Sequence, residues 1–175
     1  FMDKQSLIDC HNRIKPFIHN TPVLTSRLID KTVGAQLYFK CENFQRAGSF
    51  KIRGATNAVE LLPQDDLDRS VATTSSGNHG AALSMAVTRR GGRATVVMPS
   101  NTPEIKVENV KRNGGDIVWC EPNQVSREKT LDELVNSTGA VVIHPYNDER
   151  IVAGQGTAAL ELLEDHPDLN SIITP

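Results

Sequence analysis

Apolar and polar positions along the chain change period several times, and each change marks an element. Lys4 to Ile18 carries apolar residues at helical spacing, interrupted at Pro16. Thr21-Pro22-Val23-Leu24-Thr25 reads as extended, because a proline holds the residue before it away from helical angles. Ser26 suits the cap of a short helix through Arg27-Leu28-Ile29-Asp30, and Ala35 to Cys41 alternates as a strand does. A helix is expected from Phe50 to Leu62, capped by Ser49 and ended by Pro63.

From Val71 the pattern is regular. The run Val71-Ala72-Thr73-Thr74 leads into Ser75-Ser76-Gly77-Asn78-His79-Gly80, then a helix from Ala81 to Arg90 closed by Gly91-Gly92. Ala94 to Met98 is a strand. Thr102-Pro103-Glu104 supplies a cap, a first-position proline and an acidic first turn for a helix reaching Asn113-Gly114-Gly115. A strand from Asp116 to Cys120, a helix from Gln124 to Asn136 and a strand from Ala140 to Ile143 follow. A helix from Gly156 to Glu164 and a strand from Ser171 to Thr174 complete the pattern. Strands alternating with helices at this spacing predict an α/β fold, a parallel sheet covered on both faces with right-handed crossovers.

Composition narrows the function classes. Net charge is −2 over 175 residues with both signs interspersed, which gives no electrostatic case for nucleic acid or an anionic membrane. No apolar run approaches the ~20 residues of a membrane span. The start, Phe1-Met2-Asp3-Lys4-Gln5, has no apolar signal stretch, and Phe1 ahead of Met2 reads as added sequence. Cys10, Cys41 and Cys120 are widely spaced without a CxxC, which fits reduced thiols in a cytoplasmic protein. The histidines show no HExxH or close ligand spacing, so no metal site is expected within these residues.

Two stretches carry candidate chemistry. Lys51 falls in the first turn of its helix, where the dipole disfavours a cation by roughly 0.3–1 kcal/mol. It also lines up with Ala55, Ala58 and Leu62 on the inward face. That environment lowers an amine's pKa, as Schiff-base chemistry requires; the alternative is a lysine whose stem packs while its head reaches water. Ser75 to Gly80 lies between a strand end and a helix start, where open α/β sheets bind ligands. Its glycines let successive N–H groups converge on an anion such as a carboxylate. The spacing is G-x-x-G rather than the dinucleotide G-x-G-x-x-G, and an ordinary strand-to-helix turn is the alternative.

Together, Gly48-Ser49-Phe50-Lys51-Ile52-Arg53-Gly54-Ala55 and Ser75-Ser76-Gly77-Asn78-His79-Gly80 resemble the pyridoxal-phosphate enzymes of the serine racemase and threonine (serine) dehydratase family. The likeness continues through Thr21-Pro22-Val23-Leu24, Lys40-Cys41-Glu42 and Ala153-Gly154-Gln155-Gly156-Thr157, in order and over almost the whole chain. The resemblance implies a fold-type II, tryptophan synthase β-like architecture. Residues 1–61 would begin the large cofactor domain, 62–142 would form a small α/β domain, and 143–175 would return into the large one. Lys51 would hold the cofactor as a Schiff base and act as a base at the substrate's Cα, with Phe50 bordering the ring and Asn78 bonding its phenolic oxygen. Backbone amides of Ser75, Ser76, Gly77, Asn78 and His79 would hold the substrate carboxylate. Ser76 matches the racemase position opposite the lysine, where many dehydratases carry alanine. Arg127 matches a racemase arginine near the substrate, suited to a polar side chain or second carboxylate; a solvated arginine on a charged helix is the alternative. His144-Pro145-Tyr146-Asn147, at a strand end, is a further candidate for substrate or cofactor contact.

The implied activity is racemisation or β-elimination of serine or a related β-hydroxy amino acid. The alternatives are a threonine/serine or 3-hydroxyaspartate ammonia-lyase without racemase activity, and a non-catalytic binding or dimerisation module. The glycine-rich loop that cradles the cofactor phosphate in the family, and its acidic Mg2+ or Ca2+ ligands, have no match here. The chain therefore reads as the N-terminal portion of a longer homodimeric enzyme, with the large domain incomplete. By itself it is expected to bind pyridoxal phosphate poorly and to expose an apolar face.

Overall fold

The computed structural model describes residues 3 to 174; Phe1, Met2 and Pro175 lie outside the described residues, and with them the reading of the chain's first two positions. Helix α1 (Lys4–Ile14) is capped by Asp3, whose carboxylate accepts from the Ser6 amide at 2.8 Å, and it buries Cys10 and Ile14. Strand β1 (Val23–Leu24) pairs antiparallel with β2 (Phe39–Lys40) across α2 (Arg27–Val33), which Ser26 caps as expected. Only the end of the strand expected over 35–41 forms. The Asp30 carboxylate takes the Leu37 amide at 2.9 Å, so that amide is not available to a ladder.

Helix α3 (Lys51–Glu60) starts where predicted but not by the predicted cap. Ser49 is extended (φ −166°, ψ 163°) and its hydroxyl is buried without a partner, while the chain enters through helical Phe50. The turn before it passes Ala47 and Gly48 at φ 57° and 77°. A short helix that the polar sequence did not signal, α4 (Gln64–Asp68), leads to β3 (Val71–Thr74).

Strand β3 joins β4 (Ala94–Pro99), β5 (Gly115–Cys120) and β6 (Val141–Val142) in an all-parallel sheet of order β5-β4-β3-β6. The connections are α5 (Asn78–Arg89), α6 (Glu104–Arg112) and α7 (Gln124–Thr138). Val71 pairs with Ala94 and with Val141, and Ala94 with Gly115. Central β4 is buried at every position, as a parallel strand covered on both faces requires. Val71, Leu83, Ala86 and Val87 share one core with Ala55, Ala58 and Val59 of α3.

Helix α8 (Glu149–Asp165) begins two turns before the predicted Gly156, because Asp148 caps it by accepting from the Arg150 amide at 2.9 Å. Gly154 and Gly156 therefore lie inside a helix. A Cβ on Gly154 would come within 2.5 Å of both the Arg53 carbonyl oxygen and Gly54 Cα, so α3 and α8 cross in near backbone contact. The strand expected at Ser171–Thr174 does not form: no neighbouring strand is present for it among the described residues. Ile172 and Ile173 instead lie along α8.

Candidate active site

Strand order reverses after β5, when the chain returns to place β6 on the far side of β3. The loops leaving β3 and β6 thus open at a switch point, where α/β sheets bind ligands. Helix α5 begins at Asn78 rather than Ala81, which puts Asn78 and His79 in its first turn.

Ser75 organises the β3 loop from within. Its buried hydroxyl accepts from the amides of Gly77 at 3.1 Å and Gly80 at 3.0 Å, and its own amide donates to Val97 of β4. Of the five amides expected to hold a carboxylate, those of Ser75 and Gly77 are thus engaged. The amides of Ser76, Asn78 and His79 have no protein acceptor among the described residues. The Ser76 and Asn78 side chains are exposed at the mouth.

Lys51 is half-buried. Its Nζ makes one long bond to the Pro145 carbonyl at 3.4 Å, lies 5.0 Å from the Phe50 ring centroid, and has no carboxylate partner among the described residues. Burial lowers its pKa from the ordinary lysine value, which favours the free amine.

The loop after β6 brings His144 and Pro145 to the same place. His144 Nδ1 accepts from the amides of Asn147 at 2.9 Å and Tyr146 at 3.3 Å, which leaves the ring proton on Nε2. His79, by contrast, is buried with both ring nitrogens unpartnered. Burial first, and then the Lys51 charge, push its pKa down to about 4; the Ile143 carbonyl opposes this without forming a full hydrogen bond. The ring is therefore neutral at pH 7 and faces inward, so His79 meets the site through its amide.

Arg127, in the first turn of α7, joins Ser76 at a polar cleft that also receives Lys106 from the first turn of α6. Lys106 escaped the sequence analysis, although it breaks the same rule as Lys51, a cation at the positive end of a helix.

Glu161 also escaped it, and Arg53 entered only as part of a motif. Arg53 is fully buried and donates to both Glu42 oxygens at 2.7 and 2.8 Å, to both Glu161 oxygens at 2.8 Å, and to Thr157 Oγ1 at 3.2 Å. Lys40 Nζ pairs with Glu161 at 2.7 Å, and Thr21 Oγ1 donates to Glu42 at 2.6 Å. Burial works against these charges, but the paired hydrogen bonds outweigh it, raising the pKa of Arg53 and lowering that of Glu161. Thr21, Lys40, Glu42 and Thr157, quoted above only as parts of motifs, thus build one charge-balanced network behind Lys51.

The chain is similar to known proteins in sequence and in fold. The chain is 48% identical over 173 residues to a serine racemase of Oryza sativa subsp. indica, covering 99% of this chain and 51% of that protein. It is 48% identical over 171 residues to a beta-hydroxyaspartate dehydratase of Paracoccus denitrificans (strain Pd 1222), covering 98% and 54%. Maize serine racemase superposes with a TM-score of 0.93 at 47% identity, over 96% of this chain and 51% of that one. The serine racemase of Dictyostelium discoideum superposes at 0.88 and 41%, over 95% and 54%. The chain spans about half the length of the curated relatives it matches. The family profile of pyridoxal-phosphate dependent enzymes matches residues 14–175, and the chain belongs to that family.

Proposed function

We propose that this chain carries the lysine-bearing part of an enzyme that uses pyridoxal phosphate to racemise serine or a related β-hydroxy amino acid, to eliminate its hydroxyl with deamination, or both. One observation carries the reading: a desolvated amine without a carboxylate partner, Lys51, opens at the strand ends beside a loop with three unoccupied amides. These residues fit the reactive end of the cofactor and its amino acid. When bound, the cofactor supplies an electron sink for the negative charge at the substrate's Cα.

Lys51 Nζ holds the cofactor and moves a proton at Cα. Ser76 Oγ, carried by a separate element, is the second proton-handling group, and two such groups are what inversion of a centre needs. Phe50 borders the ring and the Asn78 side chain bonds to it. The amides of Ser76, Asn78 and His79 bind the substrate carboxylate. Arg127 faces its side chain. The division at 1–61, 62–142 and 143–175 belongs to the same proposal, supported by the four-stranded sheet lying wholly within residues 71–142. A homodimer and an activating Mg2+ or Ca2+ held outside these residues rest on the resemblance alone, and a cytoplasmic setting on the three widely spaced cysteines.

The test is spectroscopic. Adding pyridoxal phosphate to the full-length protein that carries this chain should give a visible absorption band, and borohydride should trap the cofactor on Lys51, as read by peptide mass. Lys51→Ala should abolish both. A folded protein that shows neither is the non-catalytic module. With L-serine, pyruvate and D-serine report the two outcomes. Ser76→Ala should depress racemisation at least ten times more than elimination, and equal rates would remove Ser76 from its role.

A further inference from the structure

Local forces hold the first turn of α3 weakly, although that turn carries Lys51. The helix has no side-chain cap, and the chain reaches it through two residues at positive φ, Ala47 and Gly48. Its opening hydrogen bonds span three residues rather than four, from the Ile52 amide to the Ser49 carbonyl at 3.4 Å and from the Arg53 amide to the Phe50 carbonyl at 3.0 Å. A cation at this end also opposes the helix dipole. A turn built this way frays unless tertiary contacts hold it. Those contacts come from another face of the helix. Arg53 divides its donors between Glu42, ahead of the helix, and Thr157 and Glu161 of α8. One turn later, buried Asn57 donates to the Arg150 carbonyl at the start of α8 and accepts from Arg13 of α1, each at 2.7 Å. Pro145, whose carbonyl takes the one bond of Lys51 Nζ, lies in the loop that Asp148 turns into α8. The amine and its acceptor therefore stand at the starts of the two helices that Arg53 joins.

We infer that Arg53 is the positioning residue for Lys51, with Glu42 and Glu161 acting through it: the guanidinium fixes the first turn of α3 against α8 and so holds the amine at the strand ends. This rests on the reading of Lys51 as the amine that holds the cofactor. The device is geometric rather than electrostatic. Its four charges, on Arg53, Lys40, Glu42 and Glu161, sum to zero, and burial alone lowers the pKa of the Lys51 amine. A planar guanidinium meets two carboxylates in fixed directions, whereas an ammonium on a flexible stem does not. A displacement of about 1 Å at a reacting group can cost on the order of 100-fold in rate. The candidate carboxylate loop belongs to a separate element and is ordered by its own Ser75 hydroxyl. Loosening α3 therefore acts on the amine and leaves substrate binding in place.

The full-length protein that carries this chain, loaded with pyridoxal phosphate, should be assayed with L-serine for pyruvate and D-serine. Arg53→Lys and Glu161→Gln should each lower kcat by about tenfold or more, with KM within about twofold of the wild type. The control is Glu60→Gln, which cuts the ion pair to Arg89 of α5 at the other end of α3 and should leave kcat within about twofold. Arg53→Lys at the wild-type kcat would mean that charge balance alone is needed, and an equal loss in Glu60→Gln would mean that any loosening of α3 suffices. Either result overturns the inference. A second measurement needs no turnover. Hydrogen exchange of the cofactor-free protein, read by mass over residues 49–54, should quicken about tenfold in Arg53→Lys while that of α5 stays unchanged. Exchange unaltered over 49–54, or raised equally in both helices, overturns the inference too. Should Arg53→Lys fail to fold, Thr157→Val removes one neutral partner of Arg53 and should shift kcat and exchange in the same directions by about threefold; no shift in either is the contrary result. If the wild type neither forms a Schiff base nor turns over while exchange over 49–54 still depends on Arg53, the catalytic reading fails and the anchoring of α3 stands.

Discussion

Arg53 never meets water, yet it holds four carboxylate oxygens from Glu42 and Glu161. Taking away one partner of such a buried cluster leaves the other's charge uncompensated, at about 3–5 kcal/mol. Arg53→Met should therefore lose about that much in urea unfolding, and Arg53→Lys, which cannot bridge both carboxylates in a plane, should recover only part of it. His79 gives a residue-scale prediction in pH. Its folded pKa of about 4 lies below the ordinary histidine value near 6.5, so the unfolded chain takes up the proton first as pH falls. The stability associated with the neutral ring is complete above pH 6.5 and is lost progressively towards pH 4, by about 1.4 kcal/mol per unit. Unfolding free energy should drop by about 2 kcal/mol between pH 6.5 and 5, and His79→Gln should remove most of that slope. His11, also lowered by burial but partly restored by Glu161, leaves a smaller residue of it. A slope unchanged in His79→Gln would assign the titration elsewhere. At this scale the sequence exposed Lys51 and the Ser75–Gly80 loop, because both break local rules. It hid Arg53, whose partners lie 11 and 108 residues away and obey no local spacing.

Among the elements, the crossing of α3 and α8 matters most, since α3 carries both Lys51 and Arg53. Gly154→Ala would drive a methyl into the Arg53 carbonyl and Gly54 Cα at 2.5 Å, where the obstacle is backbone and cannot step aside. The helices must part, at about 1–3 kcal/mol, and thermal melts of the variant together with its uptake of pyridoxal phosphate should both fall. Gly156→Ala should cost less: its Cβ meets the end of the Leu7 side chain at 2.9 Å, which has rotamers to spare. The same glycines explain where the element pattern misled. Gly154-Gln155-Gly156 has the composition of a loop, and only the need for close helix approach places it within α8. Strands β3 to β5 were legible because a buried parallel sheet writes near-continuous apolar runs. The run at Ser171–Thr174 has that character too, but a strand forms only beside another strand, and local pattern does not report whether a neighbour exists.

Taken as a whole, the molecule keeps its polar chemistry at the strand ends and leaves an apolar groove of about 580 Å³ along α8, bordered by Phe50, Val152, Leu162, Ile172 and Ile173. An apolar surface of this kind binds apolar dyes. Anilinonaphthalene sulfonate should gain fluorescence on the native protein, and Val152→Asp, half-exposed on the groove wall, should reduce the gain by half or more without changing helix content. The long-range wiring of the molecule also sets a clock. Arg53 reaches Glu42 across only 11 residues, but Glu161 comes 108 residues after it. At about 5–20 residues per second of synthesis, the guanidinium waits on the order of 5–20 s for its second carboxylate. During that interval α3 has no α8 to lie against, and the nascent chain presents the face of α3 that carries Arg53 to solvent or to a chaperone. Whatever slows translation between those two codons lengthens that exposure, and whatever speeds it shortens the time in which the first third of the chain can stray.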